Sequence, residues 1–288
     1  MQKNKHNTIG KGSKQRAING GEDKYFTKPY IADYLTSIVF DMYKDKYNYV
    51  EPCAGHGSFV YAMEKLNIPN IQAFDISPMD NNICNTTIKK QDWLSQENQK
   101  SLKKTIVLTN PPFGFMSQLA IDFFNKCASL EAEVIAFLIP KTFNKISVTN
   151  KLSMSYKLKK NIEIPPNSFL IEGELEYSVP CTFQIWERVK STREIIEVPS
   201  NKNFSFCKKD IADIAIRRAG GRAGQVLIGL EHSIESTHFI KIHENNDLVL
   251  KAFKLMNIND FINNTAGVRS ISKDEINLEM NRLLNILI

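Results

Sequence analysis

The fold is decided by residues 47–66. They read Tyr47-Asn48-Tyr49-Val50, then Glu51-Pro52-Cys53-Ala54-Gly55-His56-Gly57-Ser58, then Phe59 to Leu66. The apolar beginning of this stretch predicts a short strand, and its end predicts a helix. The two glycines between them predict a turn whose backbone N–H groups can approach a ligand closely. A strand, a glycine turn and a helix in this order indicate the first ligand-binding unit of an α/β sheet.

Strands and helices continue to alternate up to about residue 190. The predicted strands are 71–74, 105–109 and 134–139, and the predicted helices are 29–42, 59–66 and 117–127. This alternation implies a mostly parallel sheet with helices on both faces. Residues 156–164 and 181–189 look like two strands joined by a loop, so we expect an antiparallel terminal hairpin at the sheet edge.

The composition excludes a disordered or fibrous chain. Of the 288 residues, 42% are hydrophobic and 24% are charged, close to the average of globular proteins. The five cysteines show no C-x-x-C spacing and the five histidines form no H-E-x-x-H motif, so we expect neither a disulfide scaffold nor a metal site. We therefore expect a reducing, cytoplasmic compartment and no membrane segment.

Three regions are predicted from the composition along the chain. Residues 1–24 are polar and contain six Lys or Arg and two acids, which indicates a flexible basic arm. Residues 25–200 form the α/β domain. A basic stretch near residue 200 marks a soft boundary, and residues 201–288 form a small C-terminal region with a predicted strand at 239–243 and a helical tail.

Positive charge is concentrated at two places outside the near-neutral body. One is the arm, and the other is residues 187–222, with nine Lys or Arg and five acids. Clustered cations suit a polyanion, although a solvated surface would look the same. Within the second segment, Arg217, Arg218 and Arg222 alternate with glycines, so they are candidates for phosphate contact or, alternatively, parts of a surface turn.

An acid at the end of the second strand supports a nucleoside-containing ligand. Asp75 follows Gly55 by twenty residues, where nucleotide-binding sheets place the acid that binds ribose hydroxyls. The third glycine of the dinucleotide pattern is replaced by Val60, which argues against NAD or FAD. There is no G-x-x-x-x-G-K-[ST] motif, which disfavours a P-loop ATPase.

The sharpest signal is Asn110-Pro111-Pro112-Phe113, directly after a predicted strand. Two prolines fix the backbone and remove two N–H donors. The Asn110 side-chain oxygen and the Pro111 carbonyl remain as acceptors, followed by an aromatic ring at Phe113. Acceptors beside an aromatic ring suit a planar group that carries an NH₂, although a proline-rich turn after a strand is the plain structural alternative.

These motifs together resemble a known family. Tyr25-Phe26-Thr27-Lys28-Pro29, the Glu51–Gly57 turn, Asp75 and Asn110–Phe113 are similar to the S-adenosylmethionine-dependent amino methyltransferases that act on adenine N6, in the motif order of their gamma class. The resemblance covers residues 25–190. It implies a class I, Rossmann-like methyltransferase domain, S-adenosylmethionine as cofactor, and methyl transfer to adenine by direct displacement.

The resemblance also implies residue roles. Thr27 and the backbone around Ala54–Gly57 would hold the methionine end of the cofactor, and Glu51 would be a further cofactor-binding residue. Asp75 would bind its ribose, and Asp92 its adenine amine, unless Asp92 simply caps the next helix. The catalytic set would be Asn110, Pro111, Pro112 and Phe113, with Phe113 stacking on the target base. Phe169 and Tyr177 are candidates for a second stacking residue, or for ordinary loop packing.

Four functions stay open at this point. DNA adenine-N6 methylation is favoured, and RNA adenosine-N6 methylation would use the same chemistry. Methylation of a glutamine amide is a third candidate, and a non-catalytic nucleic-acid-binding subunit with this fold is a fourth. The C-terminal 88 residues are short for a full recognition domain, so we expect sequence specificity either to be modest or to depend on a protein partner subunit.

Overall fold

The computed structural model describes residues 25–80, 83–95, 100–171, 175–257, 259–265 and 267–287. The predicted arm 1–24 lies outside the described residues. The chain divides into two compact units. The first contains the described residues up to Ile139 together with Ser155–Ser191, and the second contains Pro140–Met154 and Thr192 onward.

The first unit contains a seven-stranded sheet. Its strands are β2 (Asn48–Glu51), β3 (Ile71–Asp75), β4 (Ile88–Lys90), β5 (Thr105–Thr109), β6 (Val134–Pro140), β7 (Tyr156–Glu163) and β10 (Cys181–Arg188). Their order in space is β4-β3-β2-β5-β6-β10-β7. The first five strands in this spatial order, β4, β3, β2, β5 and β6, pair in parallel. Strand β10 pairs with β7 in antiparallel fashion. The predicted mostly parallel sheet with an antiparallel hairpin is therefore confirmed.

Strand order reverses between β2 and β5. The chain passes from β2 outward through β3 to β4, and then returns to place β5 on the other side of β2. At such a switch point, the loops that follow two neighbouring strands diverge and leave a crevice at their carboxyl ends. Both the glycine turn after β2 and Asn110-Pro111-Pro112-Phe113 after β5 start at this crevice.

The helices of the first unit pack around a core built from continuous apolar runs. They are α1 (Pro29–Tyr43), α2 (Ser58–Lys65) and α3 (Gln118–Ser129). All residues of β5 and β6 are buried, as expected of strands covered on both faces. The helices bury apolar stripes, such as Ile31, Leu35 and Val39 of α1, against this sheet.

A small three-stranded sheet was not predicted. Its strands are β1 (Phe26–Thr27), β8 (Phe169–Ile171) and β9 (Leu175–Tyr177), in the order β1-β8-β9. The backbone N–H of Lys28 extends the β1–β8 pairing by donating to the Ser168 carbonyl at 3.0 Å. The segment before α1 is thereby joined to the loop of the terminal hairpin.

The second unit has its own core. It contains an antiparallel sheet in the order β11-β14-β12-β13. The elements of this unit are β11 (Phe204–Phe206), β12 (Ile214–Arg217), β13 (Val226–Leu227), β14 (Thr237–Ile242), α4 (Ile146–Thr149), α5 (Asn246–Leu255), α6 (Asn259–Ile262) and α7 (Lys273–Leu287). A nearly buried ion pair, Lys145 to Glu275 at 3.0 Å, joins the inserted segment 140–154 to α7. Among the described residues, no helix combines the length and apolar character needed to cross a membrane.

Candidate active site

A cavity of about 850 Å³ opens at the switch point of the first unit. Its walls come from the segment before α1, the glycine turn, the end of β3 and the loop after β5. The predicted site residues among those that line it are Thr27, Glu51, Ala54, Gly55, Asp75, Asn110, Pro111 and Pro112. The fold thus brings together residues that lie up to 85 positions apart in the sequence.

The glycine turn needs its glycines because of its backbone conformation. Gly55 has φ of +52° and Gly57 has φ of +85°, both in the left-handed region. Gly57 is the residue that precedes the first turn of α2. A Cβ added at Gly57 would lie 2.6 Å from the Cys84 sulfur, so the position also lacks room for a side chain.

Replacing Gly57 with Ala should therefore destabilise the protein. Left-handed strain and the contact with Cys84 together should lower the free energy of unfolding by about 1–3 kcal/mol. Urea denaturation measures this change. Gly221→Ala is the matched control, because an added Cβ there meets no atom within 4 Å. Equal stability loss in the two variants would contradict the special role of Gly57.

Asp75 is fixed in place by the turn it faces. Its Oδ2 accepts a hydrogen bond from the Gly55 backbone N–H at 2.8 Å, and its Oδ1 accepts one from the Ser77 N–H at 2.8 Å. A carboxylate has about four acceptor positions, so two of them remain for a ligand in the cavity. Asp75 thus orders the glycine turn and also presents acceptors to the same space.

Glu51 forms a polar chain beneath the turn. It is 2% exposed. Its Oε1 accepts hydrogen bonds from the Thr109 hydroxyl and from the Cys53 backbone N–H, the latter at 3.1 Å. The Cys53 sulfur lies 2.9 Å from Thr109 Oγ1 and 3.6 Å from the Asn110 carbonyl oxygen, so the thiol is in hydrogen-bond contact with both groups. Burial raises the pKa of Glu51 to about 8, an effect that these hydrogen bonds partly offset.

The buried carboxyl makes stability depend on pH with a definite sign. The pKa of Glu51 is about 8 in the folded protein against an ordinary value of 4.5, so the folded state holds the proton more tightly. This contribution is fully present below the unfolded pKa and is lost as the pH rises through the folded one. Between pH 6 and pH 9, the wild type should lose about 2–3 kcal/mol more unfolding free energy than Glu51→Gln.

Urea denaturation of both proteins at the two pH values measures that difference. Every other titrating group contributes equally to the unfolding free energy of the two proteins, because they differ only at residue 51. The difference between them therefore reports on Glu51 alone. A pH dependence of unfolding that is the same in both proteins would contradict the raised pKa.

Asn110 presents an unsatisfied acceptor. Its Nδ2 donates to the Tyr25 carbonyl at 2.8 Å, which fixes the orientation of the amide. Its Oδ1 is buried and has no hydrogen-bond partner among the described residues. Buried polar atoms are nearly always paired, because an unpaired one costs about 1–3 kcal/mol. An N–H donor brought into the cavity would satisfy this oxygen.

A second unsatisfied oxygen lies in the same cavity. Thr27 is buried in β1, and its Oγ1 has no hydrogen-bond partner among the described residues. The pairing of β1 with β8 holds this residue at the cavity wall. Thr27 and Asn110 therefore each supply an acceptor that the rest of the described chain leaves unused.

The aromatic residues are arranged differently from the sequence-based expectation. The Tyr25 ring stacks on Phe113, with centroids 5.8 Å apart and planes at 27°, and Phe113 is only 6% exposed. Phe169 is fully buried and meets both rings edge-on. Tyr25 therefore covers a face of Phe113, and Phe169 has no open face in this arrangement. The side chain of Tyr177 lies outside what the structure describes.

Asp92 lies away from the described cavity wall. It is exposed, and its Oδ1 accepts a hydrogen bond from the Leu94 backbone N–H at 3.0 Å. This is a local turn hydrogen bond, and no helix begins in the described residues 93–95, so the helix cap that was the alternative to cofactor binding is not seen there. Its role in binding the cofactor adenine stays a prediction.

The three arginines belong to the second unit. Arg217 donates to Ser236 Oγ at 2.7 Å, and the Arg218 guanidinium donates to the Glu235 carbonyl. The Arg222 side chain is exposed. Arg217 and Arg218 therefore support the loop before β14, and Arg222 is the one most available to an outside anion.

Three cavity residues received no role from the sequence-based reasoning, although Tyr25 and Phe26 belong to the motif quoted above. Phe26 covers Gly55 and packs on His56, with ring centroids 4.1 Å apart. Tyr25 contacts both Asn110 and Phe113, and Phe115 lines the cavity mouth. Tyr25 and Phe26 stand directly before Thr27, and Phe115 follows Phe113 by two positions. Their closeness to the motifs was the available signal.

Comparison with known proteins gives the family. No curated protein matches the chain significantly. A candidate RNA methyltransferase from Pyrococcus horikoshii is 16% identical over 58% of this chain and 87% of its own, with a TM-score of 0.44. The type I restriction-modification methyltransferase subunit from Streptococcus thermophilus is 15% identical over 94% of this chain and 62% of its own, with a TM-score of 0.44.

TrmN from Thermus thermophilus is 14% identical over 56% of this chain and 49% of its own, with a TM-score of 0.40. The chain thus spans less than two thirds of the length of TrmN and of the Streptococcus thermophilus subunit. Residues 43–194, just over half of the chain, contain the glycine turn, Asp75 and Asn110. They match the family model of the EDM2 methyltransferase-like domain, and the chain belongs to that family.

Proposed function

We propose that this chain transfers a methyl group from S-adenosylmethionine to the 6-amino group of adenine in DNA. The observation that carries the proposal is the buried, unpartnered Asn110 Oδ1 beside the 850 Å³ cavity. An exocyclic amine donates hydrogen bonds and has no charge, so it matches a neutral acceptor set. DNA is named because the motif order resembles that of DNA adenine methyltransferases.

The residues present fit the cofactor. The turn at Gly55 and the Asp75 carboxylate form one wall, and the unsatisfied Thr27 hydroxyl lies on another. Asp75 would hold the ribose hydroxyls, and Thr27 with Glu51 would hold the methionine end. When bound, S-adenosylmethionine supplies an electrophilic methyl group on a sulfonium, so no covalent enzyme intermediate is needed.

The chain's own contribution to catalysis is positioning and electrostatics. Asn110 Oδ1 and the Pro111 carbonyl would accept the two amine hydrogens and thereby direct the nitrogen lone pair into the cavity. Positive charge develops on that nitrogen during transfer, and these fixed dipoles stabilise it without reorganising. The hydrogen bond from Asn110 Nδ2 to Tyr25 keeps the amide from turning its nitrogen toward the amine.

A substrate panel tests this proposal. The full chain is incubated with methyl-labelled S-adenosylmethionine and duplex DNA, single-stranded DNA, RNA or protein extract. The products are then digested and separated by mass spectrometry. We expect N6-methyldeoxyadenosine from DNA, and about 10²–10³-fold less of it per unit time from the same reaction with Asn110→Ala.

Each other outcome has a defined meaning. If labelled N6-methyladenosine forms from RNA alone, the substrate is RNA and not DNA. If the label appears on glutamine, the substrate is a protein. No transfer to any substrate, with S-adenosylhomocysteine bound in calorimetry, would favour a non-catalytic binding subunit. Equal labelling by wild type and Asn110→Ala would overturn the catalytic assignment.

A further inference from the structure

The turn after the Asn110–Phe113 motif has a strained backbone. Gly114, Met116 and Ser117 have φ values of +70°, +51° and +64°. Left-handed backbone is unfavourable for residues that carry a Cβ, and such conformations cluster at functional sites. A Cβ on Gly114 would lie 2.7 Å from Leu119 Cγ, so the turn is also tightly packed. The surrounding structure therefore holds a conformation that the local sequence disfavours.

The strained turn places two large apolar side chains in solvent. Phe115 is 74% exposed and Met116 is 77% exposed, while Ser117 next to them is buried. Phe115 and the partly exposed Leu119 also line the cavity mouth. The apolar pair is thus continuous with the cavity that contains Asn110.

The phenylalanines Phe113 and Phe169 are covered. Phe113 lies under Tyr25, and Phe169 is fully buried behind both rings. Phe115 is therefore the phenylalanine of this group that can meet an incoming substrate without any rearrangement of the first unit. Phe115 lies at the edge of the cavity and is largely in solvent. A ring that stacks on a base within the cavity would instead lie inside it.

We propose that Phe115, with Met116 beside it, is a wedge that enters the base stack of duplex DNA and fills the space left by an extruded target base. The proposal rests on the proposed function. An amine inside a duplex cannot reach the buried Asn110 Oδ1, so the target nucleotide must leave the stack. Apolar side chains of DNA-binding proteins are known to insert between base steps and partly unstack them.

The wedge predicts a difference between two substrates rather than a simple loss. A single strand has no paired stack to open, so its methylation depends less on Phe115. The test compares Phe115→Ala with wild type on a random-sequence DNA pool, single-stranded or copied into duplex. We expect the duplex to single-strand ratio of initial rates to fall about 5- to 150-fold in the variant, as expected from the loss of about one stacking interaction.

Controls separate the wedge from folding and from general binding. Phe115→Trp keeps a large apolar ring and should keep the wild-type ratio. Tyr34→Ala removes a half-exposed ring from α1 and should leave the ratio unchanged. Thermal unfolding of each variant checks that it is folded. We expect little change in the melting temperature, because an exposed side chain contributes only weakly to stability.

Three results would overturn the proposal. The first is an unchanged ratio in Phe115→Ala, and the second is wild-type activity confined to single strands. Both leave methyl transfer to DNA intact, so they refute the wedge alone. The third is no methyl transfer to any nucleic acid by the wild type, which refutes the proposed function together with the wedge.

Discussion

Asn110→Ala should lower the rate of methyl transfer by about 10²–10³-fold, the range found when one preorganised group that stabilises developing charge is removed. The reason is the isolation of Asn110 Oδ1, which is buried, has no hydrogen-bond partner among the described residues and lies beside the cavity. The side chain has no predicted contact with the cofactor, so the affinity for S-adenosylhomocysteine should stay within about twofold. Steady-state rates and calorimetry measure the two quantities.

Two further variants sharpen this prediction. Asn48→Ala removes an exposed asparagine from the start of β2 and should leave both rate and affinity unchanged. Asn110→Asp keeps an acceptor, but it places an oxygen against the Tyr25 carbonyl, where Nδ2 now donates at 2.8 Å. We expect an intermediate rate for this variant. A full rate in Asn110→Ala would exclude the amide as the group that receives the amine.

Asp75→Ala should weaken cofactor binding by about 30- to 150-fold, or about 2–3 kcal/mol, the range for hydrogen bonds to a charged group. The variant loses the acceptor of the Gly55 N–H, which shapes the turn, and the acceptors that face the cavity. The Ser77 N–H loses its partner as well. Calorimetric titration with S-adenosylhomocysteine gives the affinity.

The control for Asp75 is an acid outside the cavity. Asp41→Asn removes a charge that is paired with Lys44 on the exposed end of α1, so binding should not change. Asp75→Asn retains one acceptor and should bind with an affinity between those of wild type and Asp75→Ala. Unaltered affinity in Asp75→Ala would remove this residue from the cofactor site.

The core of the fold could be predicted from the sequence because its signals are local. The strands β5 and β6 are continuous apolar runs, and the glycine turn stands directly between a strand and a helix. Their order along the chain defines the switch point, and with it the meeting of the turn, Asp75 and Asn110. The position of the cavity at the carboxyl ends of β2 and β5 can therefore be predicted from the sequence.

The parts that were not predicted depend on distant pairing or on short elements. β4 has only one buried residue, Ile88, and gives no periodic signal. The stacking of Tyr25 on Phe113 and the burial of Phe169 both follow from the pairing of β1 with β8, whose partners lie more than 140 positions apart. Nothing local in the sequence distinguishes an aromatic residue that receives a base from one that supports another ring.

Asp92 shows the opposite limit. The resemblance to the methyltransferases gave this carboxylate a role in binding the cofactor adenine. An aspartate can also accept a hydrogen bond within its own turn, and Asp92 accepts one from the Leu94 backbone N–H. Local hydrogen bonds of Asp compete with long-range roles, and the sequence alone cannot rank them.

The ion pair between Lys145 and Glu275 has a consequence for dissecting the protein. Residues 140–154 leave the seven-stranded sheet at the end of β6, join the second unit, and are followed by β7. A chain cut after Ser191 would keep this excursion but lose the carboxylate that neutralises its nearly buried lysine. Neither unit is therefore a contiguous stretch of chain that could be expressed by itself with all of its residues.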